Sequence, residues 1–198
     1  MLIYRGLYAT DRKPVALTIG NFDGVHLGHQ ALLTKVKEVG NLHKWSSAVI
    51  VFEPHPREFF TPQQAPVRLT NLREKLELFA DMGIDRVHVC RFNRSFAQMS
   101  AADFASALHE KLAAKYVLIG DDFRFGSKRS GDFSLMASVG AECGFEVQAM
   151  HSMRTPACTA YCMRVYASPA PQCVQHWHKE ICLWLSLIWG GPTASAGE

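Results

Sequence analysis

The stretch Val15-Ala-Leu-Thr-Ile19 runs straight into Gly20-Asn21-Phe22-Asp23-Gly24-Val25-His26-Leu27-Gly28-His29 and then into Gln30–Val39. A short apolar run, a glycine-bounded turn and a segment with Leu32, Leu33, Val36 and Val39 on one face spell strand, tight turn and amphipathic helix. The same grammar repeats outward from it. Ala48–Phe52, Val87–Phe92, Tyr116–Ile119 and Phe145–Ala149 read as further short, mostly apolar strands. Leu72–Met82, Ala101–Leu112 and a segment from Phe133 to Cys143 read as helices between them. Ala101–Leu112 opens after Ser100 with Asp103 three residues on, close to a capping box. Strand and helix alternating in this way predict an α/β fold with a doubly wound parallel sheet.

In such sheets ligands bind beyond the carboxyl ends of the strands, and helix N-termini present unpaired N–H groups to phosphates. Gly20–His29 occupies that position. His26 and His29 lie one turn apart, project the same way and can both donate to phosphate oxygens. Gly20 and Gly24 permit the tight turn, and Gly28 lets a phosphate or base approach the backbone. A lone histidine at a helix start is usually a cap; two flanking a glycine after Gly-Asn-Phe-Asp-Gly point to nucleotide chemistry. Neither Gly-x-Gly-x-x-Gly nor a Gly-Lys-Ser/Thr element is present, which disfavours hydride transfer and P-loop chemistry.

Two more motifs follow strands. After the second comes Phe52-Glu53-Pro54-His55-Pro56-Arg57-Glu58-Phe59-Phe60, whose prolines predict an extended loop from which Glu53 and His55 reach a substrate. After the fourth comes Gly120-Asp121-Asp122-Phe123-Arg124-Phe125-Gly126, continuing to Gly131-Asp132. It offers carboxylates for a magnesium ion, aromatic rings to stack on a flat ligand, and Arg124.

Composition narrows the classes. Of the 198 residues 48% are hydrophobic and 20% charged, as in globular proteins. A net charge of +3 is too small to argue for nucleic acid, and no secretory leader or membrane-length apolar run is seen, so a cytoplasmic protein without nucleic-acid, membrane or evident protein partners is expected. Cys158, Cys162, His176 and His178 lack the knuckle and His-x3-His spacings of zinc sites.

Together the three motifs, with Arg68-Leu-Thr and Glu74-Lys75-Leu76, closely resemble the FMN adenylyltransferase (FAD synthetase) module of bacterial bifunctional riboflavin kinase/FMN adenylyltransferases. The histidine motif alone marks the wider nucleotidylyltransferase superfamily; the Gly-Asp-Asp-Phe-Arg-Phe-Gly loop narrows it to the family. The resemblance covers Leu2 to about Met150. It implies a Rossmann-like fold and the reaction of ATP, as its magnesium complex, with FMN to give FAD and pyrophosphate. It also implies His26 and His29 as catalytic contacts to ATP phosphates, with Gly20, Asn21, Phe22, Asp23, Gly24 and Gly28 around ATP. Glu53, Asp122, Phe123, Arg124 and Phe125 would lie at the flavin, and Asp122 at magnesium. Two other readings fit the same residues: another small-molecule nucleotidylyltransferase, such as a cytidylyltransferase or pantetheine-phosphate adenylyltransferase, or a non-catalytic nucleotide- or flavin-binding protein.

Residues 1–152 are therefore expected to form the nucleotidyl-transfer domain, and 153–198 to be foreign to it. That tail holds three of the four tryptophans and four of the six cysteines, yet only five of the 39 charged residues. The family's second phosphate-binding element, Arg-Ile-Ser-Ser-Thr-x-x-Arg, and its riboflavin kinase domain are both missing from the sequence, so impaired turnover is expected. Shifted by one base, the codons of Tyr166–Val174 permit Arg-Ile-Ser-Ser-Thr-Ala-Val-Arg. The tail is thus expected to be a frameshift product, non-native, disordered or poorly packed.

Overall fold

The computed structural model describes residues 1–150. The expectations for 153–198, the cysteine and histidine set included, lie outside the described residues. In chain order the elements are β1 (Leu2–Arg5), β2 (Val15–Ile19), α1 (Leu27–His43), β3 (Ser46–Glu53), α2 (Pro56–Phe60), α3 (Leu72–Asp81), β4 (Arg86–Arg91), α4 (Arg94–Ala97), α5 (Ala101–Leu112), β5 (Ala114–Gly120), α6 (Phe133–Cys143) and β6 (Glu146–Met150). All five expected strands form, with no end moved by more than two residues. Three expected helices keep their ends to within one residue, whereas α1 grows to Leu27–His43 because His26 caps it and Lys44, at φ 58, ends it.

The six strands are parallel in the order β1-β4-β3-β2-β5-β6. β2 is buried along its whole length. Alternate residues of the central strands face opposite ways, as the period of two demands. Val15, Leu17, Ile50, Val117 and Ile119 pack with Phe104 and Leu108 of α5 and Met136 of α6. On the other face Val49, Val51 and Val87 pack with Leu33 of α1 and Phe79 of α3, and Ala16 and Leu118 pack with Val36. Helices therefore cover both faces, and the sheet is doubly wound. From β2 the chain moves one way through β3 and β4, then returns to the other side of β2 for β5 and β6. The switch point lies between β2 and β5, where such folds open a crevice at the carboxyl ends. No helix among the described residues is long and apolar enough to cross a membrane.

Three features depart from the sequence reading, one of them the short α4, which Asn93 caps by accepting from Phe96 N. β1 pairs with β4 at the sheet edge and was not anticipated, because only Tyr4 of its four residues is buried. The second motif is also not extended throughout. Pro56 takes the first position of α2, His55 Nδ1 accepts from Arg57 N at 3.0 Å, and Glu58 returns a carboxylate to His55 N at 3.2 Å. Proline's fixed φ suits a first helical turn as well as an extended chain, and the reciprocal cap decides between them.

His88 of β4 is fully buried and stacks on Tyr4 at 5.0 Å. Burial pushes its imidazole down to about 4, against the pull of the Gly6 carbonyl. In the unfolded chain the ring takes up a proton near its ordinary value, so between about pH 6.5 and about pH 4 the unfolded state binds more protons. Stability is therefore full above that window and falls as pH drops through it, by about 3 kcal/mol for this residue. Urea unfolding across that range should show a weaker acid slope in His88→Gln; an unchanged slope would assign the acid sensitivity elsewhere.

Candidate active site

The turn after β2 is fixed by its aromatic residue. Phe22, at φ 50, is fully buried and packs edge-on to Phe79 at 5.5 Å and tilted to His29 at 4.9 Å. Its ring, expected among the nucleotide contacts, belongs to the core. The neighbouring Asp23 is held by the segment before α3. Its carboxylate accepts from Leu69 N and Thr70 N at 3.0 Å each and from the Thr70 hydroxyl at 3.1 Å, while Thr70 Oγ1 accepts from Gly24 N at 3.0 Å. Burial would raise this carboxyl, but those donors, with Lys75 nearby, outweigh it and hold it below the usual range.

His26 caps α1: its Nδ1 accepts from His29 N at 3.3 Å. That bond leaves the proton on Nε2, the nitrogen away from the helix. The two imidazoles stack with centroids 3.6 Å apart. Gly28 sits beneath them, and a Cβ there would meet the His26 ring at 3.3 Å. Burial lowers His26 against the pull of Asp23. His29 is pushed down to about 3 by burial, by His26 and by Lys75. Lowered in this way, the pair is neutral near pH 7 and can offer N–H groups that carry no charge. His29 Nδ1 and Asn21 Oδ1 are buried with no hydrogen-bond partner.

In the second motif Glu53 does not stand open to the crevice. Arg68 binds it at 2.6 Å and also grips both carboxylate oxygens of Glu58. Arg68 and Thr70 thus tie the second motif to the first through one short strap. Lys75 of α3, buried despite its charge, donates from Nζ to Asn21 O at 2.8 Å.

The third motif follows β5, directly across the switch point from the first. Phe125 and Gly131 exchange backbone hydrogen bonds at 3.1 and 2.9 Å, and Ser127 N donates to Met99 O at 2.8 Å. Arg124 pairs with Asp132 at 3.0 Å, and Asp132 caps α6. Phe125 is buried against Phe104, so its ring serves the core; Phe123 stacks on it at 5.5 Å and is the more exposed of the two. Asp121 and Asp122 lie at the surface. Among the described residues no three His, Cys, Asp or Glu side chains come together as metal ligands.

The sequence profile of FAD synthetases matches residues 9–158. The chain belongs to the FAD synthetase family. It is 46% identical over 151 residues to the bifunctional riboflavin kinase/FMN adenylyltransferase of Escherichia coli K12, covering 74% of this chain and 48% of that protein. With the enzyme of that name from Haemophilus influenzae it shares 42% over 151 residues, covering 75% and 49%. The chain spans about half the length of these relatives. Among solved structures, a macrolide-efflux protein from Streptococcus pneumoniae superposes with a TM-score of 0.63 at 20% identity, over 78% of this chain and 52% of that one. That likeness is one of fold.

In this FAD synthetase family member the structure brings Asn21, Asp23, His26 and His29 to one side of the switch point and the loop carrying Asp122–Phe125 to the other. Sequence reasoning gave no role to Arg68, Thr70 and Lys75. The signal that could have found them is the Asn71-Leu-Arg-Glu74 box, which caps α3 and fixes what precedes it. The third loop depends on Gly126, at φ +74, where a Cβ would lie 2.7 Å from the backbone of Ala101. Gly126→Ala is therefore expected to cost about 2 kcal/mol or more, since neither backbone can yield cheaply. Urea denaturation measures it, and a loss below 0.5 kcal/mol, on the order of an ordinary surface change, would show that the loop shifts freely.

Proposed function

We propose that this chain adenylylates FMN, with residues 1–152 as the transferring domain. An oxygen of the FMN phosphate attacks the α-phosphorus of ATP; the new P–O bond forms as the bond to the β-phosphate oxygen breaks, and pyrophosphate leaves. No protein nucleophile is needed. Catalysis is alignment and relief of charge on the phosphates. The observation that carries the reading is the neutral, stacked His26–His29 pair at the switch point, at the N-terminus of α1.

In this reading the two Nε2–H groups donate to ATP phosphate oxygens, and Asn21 binds the nucleotide. Gly20, Gly24 and Gly28 leave room for it, while Asp23 and the backbone of Phe22 shape the turn. Phe123 and Arg124 lie against FMN, with Phe125 beneath Phe123 and Glu53 orienting the strap through Arg68. Magnesium arrives with ATP, lowering the charge on its phosphates. It keeps several waters and needs only one or two protein carboxylates, which suits the exposed, unclustered Asp122.

Incubation with ATP, magnesium and FMN tests this, with FAD and pyrophosphate read by chromatography. FAD should form with ATP in preference to CTP, and more slowly than in the relatives that carry the second phosphate-binding element. Tight FMN binding without FAD would favour a non-catalytic flavin binder, and a CTP preference another nucleotidylyltransferase.

A further inference from the structure

We propose that Lys75 is a phosphate-binding residue of this site, its amine directed at the phosphate groups that lie between the first and second motifs. The inference rests on the nucleotide-transfer reading above.

Lys75 is only 6% exposed, and its amine makes one hydrogen bond, to the carbonyl of Asn21 at 2.8 Å. An ammonium carries three N–H donors, so two remain. Burial lowers the pKa of this amine, and Asp23, Glu53 and Glu58 favour its charged form from a distance, but none of them pairs with it directly. Asp23 is occupied by Leu69 and Thr70, and Glu53 and Glu58 by Arg68. Among the described residues Lys75 has no ion pair within contact distance. Buried charges persist in proteins when they are paired or bind a ligand.

The surroundings name the ligand class. Asn21, whose carbonyl anchors the amine, belongs to the first motif, whose stacked His26 and His29 rings open the helix after the strand. The lysine's charge bears on groups of both motifs, lowering His29 and His55 and helping to hold Asp23 ionised. Of the neighbouring arginines, Arg68 is paired with its two glutamates and Arg124 with Asp132. With both histidines neutral, a polyphosphate would find its formal positive charge at Lys75.

Calorimetry on the full chain with ATP and with adenosine decides between the two roles. Lys75→Met is expected to lower ATP affinity at least tenfold, the loss of a charge-assisted hydrogen bond to phosphate, and to leave adenosine affinity within about twofold. Lys75→Arg keeps the cation and should recover most of the ATP affinity. Should Lys75→Met fold poorly, lysine-labelled native chain titrated with inorganic pyrophosphate gives the same answer: the Lys75 side-chain resonance should move at saturation. Equal losses for ATP and adenosine, an unimpaired Lys75→Met chain or a silent resonance would overturn the assignment while leaving the functional reading in place. A native chain that binds no ATP would overturn both.

Discussion

Replacing His26 and His29 together by alanine is expected to lower ATP affinity at least tenfold. In the proposed site each imidazole offers one N–H to a phosphate oxygen, and a hydrogen bond to a charged group is worth about 1.5–3 kcal/mol. Two such bonds would give a larger loss if they were independent; rings stacked at 3.6 Å share their surroundings, so the floor is the safer number. Both rings are held neutral by burial, which adds a second expectation. ATP affinity should not depend on histidine titration between about pH 6.5 and about pH 8. His26 also caps α1, so its removal costs stability as well, about 1 kcal/mol. His26→Ser separates the two effects, since a serine oxygen caps the helix but cannot reach a phosphate. If calorimetry finds the double variant binding ATP like the native chain, His26 and His29 are structural residues and the site lies elsewhere.

The parts of this fold that were legible are those where local chemistry and packing agree. β2 is a five-residue apolar run, and it is buried throughout. The helix at 101–112 has Ser100 as its cap, with the side chain accepting from Asp103 N at 3.0 Å, as the sequence pattern requires. α6 spans Phe133–Cys143 as expected and closes at Gly144 with φ +81. β1 was not legible because it is an edge strand that exposes Leu2 and Ile3, and its partner β4 lies some eighty residues away. α2 was not legible because a histidine stands where Ser, Thr, Asp or Asn usually caps.

At the site, sequence located the motifs but not the division of labour within them. An aromatic ring in a conspicuous motif can be ligand or core, and residue type alone cannot distinguish them. Phe22 and Phe125 are core, while Phe123 retains partial exposure. Lys75, quoted only as part of the family resemblance, was given no role for the opposite reason. It lies between the inward positions Leu72, Leu76 and Phe79 of α3, on a buried part of the helix surface. A charged residue is read by default as facing water, yet its long stem lets the amine pass beneath the first motif to Asn21. What determines its role is three-dimensional: which carboxylates have already been claimed by other cations.

The DNA encoding this chain is expected to spell Arg-Ile-Ser-Ser-Thr-Ala-Val-Arg one base out of frame across Tyr166–Val174, and correcting that base is expected to raise FAD formation about a hundredfold. The codon argument is specific. The third base of Tyr166 with the first two of Ala167 permits CGC, an arginine codon, and the following steps permit ATC, TCC, AGC and ACC, for Ile-Ser-Ser-Thr. Pro171 to Val174 then permit GCA, GTG and CGT, for Ala-Val-Arg. In the same register Gln175–Cys182 permits Ala-Ala-Leu-Ala-Gln-Gly-Asp-Leu, a helix-forming run, from residues that show no amphipathic period as they stand. The energetic argument follows from the mechanism. In the proposed mechanism His26, His29 and Lys75 would serve the phosphates as they bind, while the departing pyrophosphate, with growing negative charge, would need donors of its own. Hydroxyls and an arginine supply them; removing one well-placed donor to a developing oxyanion costs about 10²–10³ in rate. Sequencing the gene comes first, and codons that spell something else would refute the shift outright. If they agree, the corrected and present chains are compared with ATP, magnesium and FMN under the same conditions. FAD formed at equal rates by both would mean that the first motif and the loop after β5 suffice, and that the element is not what limits turnover.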